Sequence, residues 1–267
     1  MKRTGKYIPT IEDIIELSGI EALHPGGMAL PQRTAELSNL KPGMKILDVS
    51  SGRGTQSIFY AKNFGVEVIG LDIAKEMLRS ASENARKEGI ENLVSFKRGD
   101  SQDIPFEDNS FDVVINECAV GIPDDSQKVL NEMVRVTKPN GVILIHESTW
   151  RKKVSEKEKN EISERYGTTP LEYNEWIDML RKAGVSEIIT EFDEWSKPEM
   201  FWKIRKDRDV EHYTKVLSRS ELASLIERIT KIYGQDAVNI ALENQKRFWE
   251  VVLNGTLGYC LFKGIKK

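Results

Sequence analysis

Lys45-Ile46-Leu47-Asp48-Val49-Ser50-Ser51-Gly52-Arg53-Gly54 is the stretch on which the fold turns. An apolar, β-prone run carries an acid, breaks into small residues, and leads into a helix-forming segment from Thr55 to Asn63. Strand, tight loop and helix N-terminus in that order let backbone N–H groups approach a bound cofactor and favour a negative group such as a carboxylate. Asp48 ends the strand, and Ser51, Gly52, Arg53 and Gly54 form the loop. An ordinary strand–loop–helix turn without a ligand has the same outline, so the meaning depends on what surrounds it.

Outward from this loop, strands and helices alternate. Glu67 to Leu71 predicts a second strand ending in Asp72, Ala74 to Lys87 a helix stopped by Gly89, and Leu93 to Lys97 a third strand followed by Gly99-Asp100. Phe111 to Asn116 and Val142 to His146 are almost wholly apolar, as strands buried on both faces are. Between them, Ser126 caps a helix to about Thr137, and Lys138-Pro139-Asn140-Gly141 reads as a turn. Pro170 to Ala183 predicts a helix, Val185 to Phe192 a sixth strand and Gly258 to Gly264 the last. The alternation predicts an α/β fold: a Rossmann-like, doubly wound, seven-stranded and mostly parallel sheet, with the last strand antiparallel.

Two further segments complete the expected organisation. Residues 1–41 read as an N-terminal helical segment covering the pocket, with Thr10-Ile11-Glu12-Asp13 as a capping box, Gly19 as a stop and a second helix over Pro31 to Leu40. Residues 42–192 with 256–267 form the core, and the helical, aromatic stretch 193–255 is an insertion. That stretch is either a packed helical core or a lid over an apolar or small substrate; Trp195, Phe201, Trp202, Tyr213, Tyr233, Phe248 and Trp249 lie in it.

Composition narrows the function. Across 267 residues the charges nearly cancel, to a net −3, which does not suit the backbone of a nucleic acid. Two cysteines, Cys118 and Cys260, and three scattered histidines point away from a disulfide framework or a bound metal. The polar first ten residues carry no secretory signal and no apolar run approaches a bilayer span, so a cytoplasmic location is expected. The oligomeric state stays open.

Three acids at successive strand ends sharpen the site. Asp72 is placed to accept both hydroxyls of a ribose, Ile73 to lie against a base, and Asp100 to accept an exocyclic amine of adenine. With these on the page, the chain resembles the class I S-adenosylmethionine-dependent methyltransferases. The resemblance rests on Leu47 to Gly54, Leu71-Asp72-Ile73, Gly99-Asp100, Pro105 to Val114, and Val136 to Gly141, in order over about residues 42 to 150. The nearest look-alikes are the ubiquinone/menaquinone-pathway and sterol methyltransferases. Ser50 stands where the family has its first loop glycine, and Pro139-Asn140-Gly141 where it has Pro-Gly-Gly.

The resemblance implies S-adenosylmethionine as cofactor. It places residues 50–54, with Ser50, Ser51, Gly52 and Gly54, on the methionine and ribose part, Asp72 on ribose, Asp100 and Ser101 at adenine, and Asn116 near the methionine end. His24-Pro25-Gly26-Gly27 resembles a segment ahead of the core in some members and is expected to line the pocket; a mere turn is the alternative. Glu117 is the first candidate for a general base or a cation-binding group, with Glu147 and His24 behind it. Cys118 and Trp150 are placed at the substrate. Asn116-Glu117-Cys118-Ala119 lacks the Asn/Asp-Pro-Pro-Tyr/Phe sequence of base-amine methyltransferases, and two cysteines are too few for an arsenite methyltransferase. The expected function is methyl transfer to a small-molecule acceptor. The competing readings are a nicotinamide-dependent oxidoreductase, against which Ser57 stands where a third glycine belongs, and a non-catalytic cofactor-binding protein.

Overall fold

The structure is a computed structural model that describes Ile14, Leu17, Ser18 and residues 24–205 and 210–267. The capping box at Thr10 to Asp13 and the stop at Gly19 lie outside the described residues. Strand β1 (Lys45–Val49) sits mid-sheet, parallel to β2 (Glu67–Asp72) on one side and to β4 (Phe111–Glu117) on the other. With β3 (Val94–Arg98), β5 (Thr137–Trp150), β6 (Leu171–Glu172), β7 (Val185–Glu191) and β8 (Leu257–Lys266), the order is β3-β2-β1-β4-β5-β8-β7, with β6 beside the end of β5. Strand β8 alone runs antiparallel to its neighbours, and the two-residue β6 is an addition to the seven expected strands. The order reverses between β1 and β4, and open α/β sheets bind ligands in the crevice outside such a switch point.

Side-chain parity along the strands then sorts residues onto faces, because successive residues point to opposite sides. Ile46, Val113, Ile115 and Leu144 pack with Tyr60 and Ala61 of α2 (Thr55–Phe64) and Leu30 and Ala35 of α1 (Ala29–Ser38). Leu47, Val49, Val114, Ile143 and Ile145 pack on the other face. Their partners are Leu130 and Met133 of α4 (Ser126–Val136) and Trp176 and Leu180 of α6 (Tyr173–Ala183). Helix α3 (Lys75–Glu88) follows β2, and α5 (Glu156–Tyr166) follows β5. Helices α7 (Arg219–Tyr233) and α8 (Gln235–Leu253) pack against each other through Leu225, Ile229, Ala237 and Val238, with Ile14 and Leu17 on that cluster. No helix of the described residues is long and apolar enough to cross a membrane.

Some boundaries differ from the sequence expectation for local reasons. Lys138-Pro139-Asn140-Gly141 is no separate turn but a bulge inside β5. Phe111 pairs with Thr137 while Val113 pairs with Val142, and Asn140 takes a left-handed φ of 62° to absorb the extra residues. Asp125, not Ser126, caps α4, accepting the Lys128 N–H at 2.9 Å. The helix expected from Pro170 starts at Tyr173, after β6, and ends at the Gly184 expected as its stop. Ser218 forms the expected capping box with Glu221.

Candidate functional site

A cleft of about 930 Å³ opens beyond the C-terminal ends of β1, β2, β4 and β5. One wall is made of Ser50 to Arg53 and the segments after β2 and β3. The opposite wall contains Phe201, Tyr213, Leu225, Phe248, Trp249 and Tyr259.

The loop after β1 is held by its neighbours. Ser51 N–H donates to Leu71 O at 2.9 Å and Gly54 N–H to Ser51 O at 2.9 Å. Ser50 sits at φ 62°, where a side chain costs roughly 1–2 kcal/mol and glycine costs none. Asp48 shares the face of Ile46 and so turns toward α2, where Ser57 Oγ–H donates to its Oδ2 at 2.6 Å. Burial pushes Asp48 up to about 7, against that hydrogen bond and with Glu117 and Asp72 adding to the rise. Ser57, the residue that breaks the nicotinamide fingerprint, is thus fully buried and spent on Asp48. Gly54 does not line the cleft. It opens α2 at φ 73°, and a Cβ there would stand 2.5 Å from Phe96 Cζ, so its role is to let α2 pack close to the sheet.

Asp72 fastens both sides of the crevice. Its Oδ2 accepts Gly52 N–H and its Oδ1 accepts Ala74 N–H, each at 2.8 Å. The next residue, Ile73, is 61 % exposed although apolar, and it faces the cleft. Asp100 and Ser101 also line it; Asp100 Oδ1 accepts Gln102 N–H at 2.8 Å, which fixes the turn after β3.

The strand β4 parity that turns Glu117 toward α2 creates the most unusual group of the site. Glu117 Oε1 accepts Tyr60 O–H at 2.8 Å and Thr34 Oγ–H at 3.2 Å. Its Oε2 is buried, makes no hydrogen bond of normal geometry, and lies 3.4 Å from His24 Nε2. Burial pushes Glu117 up to about 7, against hydrogen bonds from Tyr60, Thr34 and Gln56. His24 is lowered to about 4 by burial. Its Nδ1 lies 3.1 Å from Pro25 O, which only a donor satisfies, so Nε2 is the bare nitrogen and receives the Gln56 amide. His24 is therefore a neutral imidazole beside a carboxyl poised near neutrality. The His24-Pro25 end of the motif lines the cleft, as expected, and the two glycines anchor it. Gly26 N–H donates to Met200 O at 2.7 Å, and a Cβ on Gly27 would fall 1.9 Å from Lys203 O.

Glu147 lies on the opposite sheet face and serves its own loop. Its Oε1 accepts Val120 N–H at 2.6 Å, and Ala119 and Gly121 N–H groups also face it. Burial still raises it to about 8. Cys118, at φ 65°, lines the cleft with Sγ 3.2 Å from His146 Nδ1. Burial and the nearby Glu147 and Glu117 keep it a thiol, so it is not an activated nucleophile.

Besides Gly54, two further expected residues are elsewhere. Asn116, one residue out of phase with Glu117, points to the other face, where its Oδ1 accepts Ala119 N–H at 3.0 Å. Trp150 is core: it packs with Val154, Ile162 and Leu257, and its Nε1–H donates to Pro170 O at 2.7 Å. Neither lines the cleft. Conversely, Thr34, Gln56, Tyr60 and Tyr259 escaped the sequence reading. Only the i, i+3 pair Ser57/Tyr60, polar groups on the buried face of an otherwise apolar helix, carries a signal that could have flagged any of them.

The buried ionisable groups predict how stability depends on pH. Asp48, Glu117 and Glu147 have folded pKa values above their ordinary 3.8–4.5, so the stability they contribute is present at low pH and lost as pH rises through about 7 to 8. His24 and His146 are lowered, and their contribution is lost as pH falls below 6.5. Only the carboxyl terms change above 6.5. Thermal melts of the free chain are expected to fall between pH 6.5 and 8.5, at up to about 1.4 kcal/mol per pH unit per group, and Glu147→Gln to flatten that fall. A melting temperature that stays level or climbs across the interval contradicts this assignment.

Known proteins fit this geometry. A family profile described as a methyltransferase domain matches residues 40–194, more than half of the chain. The chain belongs to the methyltransferase domain family. The ubiquinone/menaquinone biosynthesis C-methyltransferase UbiE of Idiomarina loihiensis is 34% identical to this chain over 116 residues, 43% of this chain and 46% of that relative. The chain thus spans less than half the length of that relative, and its branch is one relation among several. The structure of the [4+2]-cyclase SpnF superposes with a TM-score of 0.77 at 21% identity, covering 98% of this chain and 99% of that one. Phosphoethanolamine N-methyltransferase 2 of Haemonchus contortus, solved with phosphomonomethylethanolamine and S-adenosylhomocysteine, gives a TM-score of 0.71 at 22% identity, covering 96% of this chain and 57% of that one. At such identities the likeness is one of fold.

S-adenosylmethionine is the cofactor of this family, and the cleft of this chain fits it. Ser51 Oγ is buried without a partner at the cleft wall, Asp72 holds the loop to the second strand, and Ile73 offers a bare apolar face beside it.

Proposed function

We propose that this chain methylates a small molecule enclosed between the strand ends and residues 193–255. In this reading 42–192 with 256–267 is the cofactor-binding core, 193–255 a lid, and 1–41 a cover for the pocket. Asp48, Ser50, Ser51, Gly52, Asp72, Ile73, Asp100 and Ser101 hold S-adenosylmethionine, which when bound supplies a methyl group already activated on a cationic sulfur. The protein's own work is alignment and exclusion of water, which can contribute about 7–11 kcal/mol.

One observation carries the reading. Glu117 Oε2 is buried and unpartnered in the same cleft that the loop after β1 lines, and its carboxyl is poised near neutrality. A group so placed can take a proton from an acceptor as its new bond forms. His24, neutral and 3.4 Å away, packs beside it and leaves its charge uncompensated. Glu147 fixes the 118–121 loop instead of reaching a substrate.

The test is direct. The full chain should bind S-adenosylhomocysteine in calorimetry. Incubated with S-adenosylmethionine and a panel of small amines, phenols and carbon acids, it should release S-adenosylhomocysteine above the rate without acceptor. Binding without release for any acceptor would favour the non-catalytic cofactor-binding reading, since the fold alone does not dictate the chemistry.

A further inference from the structure

The walls of the cleft carry a charge pattern that says more about the acceptor. Among the described residues six acids line it: Asp48, Asp72, Asp100, Glu117, Asp124 and Glu147. Among the described residues, Arg53, in the cofactor loop, is the only lysine or arginine that does. A phosphorylated acceptor needs cationic or multiple N–H partners when buried, and this wall offers it carboxyls. Asp48, Asp72 and Asp100 belong to the loop and the cofactor side, and Glu147 is occupied by backbone N–H groups. That leaves Asp124, which is exposed, and Glu117, the buried acid that lines the cleft with one carboxyl oxygen unpartnered.

Aromatic rings adjoin it. Cys118, the neighbour of Glu117, contacts His146, and His146 stacks on Tyr259 with ring centroids 5.0 Å apart. Tyr259 meets Phe201 at 5.1 Å, Phe201 meets Phe248 at 6.1 Å, and Phe248 meets Trp249 at 5.4 Å. Tyr259, Phe201, Phe248 and Trp249 all line the cleft. Two more buried polar atoms on these walls lack partners, Trp249 Nε1 and Ser148 Oγ. Buried polar atoms are nearly always paired, so a cluster of orphans in one cleft marks the places where a ligand completes the pairing.

We propose that the acceptor carries a protonated amine, whose N–H donors meet Glu117 Oε2 while its apolar body lies along Tyr259, Phe201, Phe248 and Trp249. An oxygen on that body answers the Trp249 indole N–H. The inference rests on the methyltransferase reading for calling the ligand an acceptor, but the subsite itself is a property of the side chains. Carboxylate and aromatic faces together select a cation over a neutral molecule of the same shape, and against an anion. The groups around Glu117 reinforce this: Tyr60, Thr34 and Gln56 donate to its side chain, His24 is neutral, and Asp48 adds negative potential.

Three probes with one apolar body and different heads test it: 2-phenylethylamine, 2-phenylethanol and 2-phenylethyl phosphate. Each is titrated calorimetrically into the full chain, free and saturated with S-adenosylhomocysteine. The amine should bind about tenfold or more tighter than the alcohol, and the phosphate weaker than both. At pH 7 the amine should release protons on binding, as read from two buffers of different ionisation enthalpy, because the cation draws Glu117 into its charged form. Glu117→Gln should bring amine and alcohol within about threefold and abolish the proton release. The proposal is overturned if the alcohol or phosphate binds as well as the amine, if the amine shows no millimolar binding, or if the preference survives in Glu117→Gln. It is also overturned if that variant loses S-adenosylhomocysteine while head-group preference is unchanged, which would put Glu117 on the cofactor. Failure of the free chain to bind S-adenosylhomocysteine would sink the methyltransferase reading yet leave the amine preference measurable by itself.

Discussion

Asp72→Ala is expected to weaken S-adenosylhomocysteine binding by at least about 100-fold, with the chain still folded. Two losses combine. The carboxylate accepts Gly52 N–H and Ala74 N–H at 2.8 Å each, so it joins the loop after β1 to the start of α3. Charge-assisted hydrogen bonds are worth roughly 1.5–3 kcal/mol apiece, and their removal frees the loop that must close on the cofactor. The remaining lone pairs of Asp72 are those proposed to accept the ribose hydroxyls, and alanine removes these too. Asp72→Asn should fall between, since it keeps one oxygen but sets an N–H₂ group against a backbone N–H. Calorimetry with circular dichroism as a folding check decides the matter. An alanine variant that binds within about threefold of the parent means that the crevice beside β2 is not the nucleoside site.

Glu117→Gln is expected to lower turnover by about 10²- to 10⁴-fold while leaving S-adenosylhomocysteine affinity nearly unchanged. Glutamine keeps an oxygen for Tyr60 and Thr34 and nearly the same volume, so the packing at the base of the cleft should persist. What it lacks is a site for a proton. The sign of the pH dependence follows: a base works as its carboxylate, and Glu117 loses its proton at about 7. Parent kcat/KM should therefore climb from pH 6 to 8 and level off, and the variant should lose that limb. Comparable turnover in the variant, or a parent profile that falls over the same range, would remove Glu117 from the reaction.

The sheet was legible because buried parallel strands are written as contiguous apolar runs. Lys45 to Val49 and Phe111 to Asn116 were found that way with their starts in place, whereas the run Val142 to His146 marked only the middle of a strand that begins at Thr137 and ends at Trp150. Asp48, Asp72 and Asp100 were legible for a related reason. An acid at the end of such a run is at the rim, where the chain leaves the sheet. The errors of placement share a physical cause as well. Asn116 is adjacent to Glu117, but a strand's two-residue period puts neighbours on opposite faces, and only the packing of Ile115 against α2 and Val114 against α4 says which face is which. Gly54 looked like cofactor loop because glycine admits both a ligand and a neighbouring helix. Phe96, about forty residues further along the chain, is what makes it the latter. Trp150 was drawn to the cleft by its strand-end position and is instead claimed by the core between β5, α5 and β8.

By itself the sequence determined the order of strands and helices, the loop after β1 that lines the cleft and the three acids around it, because these depend on periodicity and on residues close together in the chain. Only the tertiary structure decided what the site does with its other side chains. Tyr60, Thr34 and His24 converge on Glu117 from three separate segments, and Tyr259 from a fourth meets Phe201, which in turn meets Phe248, along one wall of the cleft. Their distance in sequence carries no trace of that meeting. It arises when the sheet faces are buried, and burial is also what raises Glu117 to about 7 and turns an ordinary glutamate into a group able to exchange a proton at neutral pH.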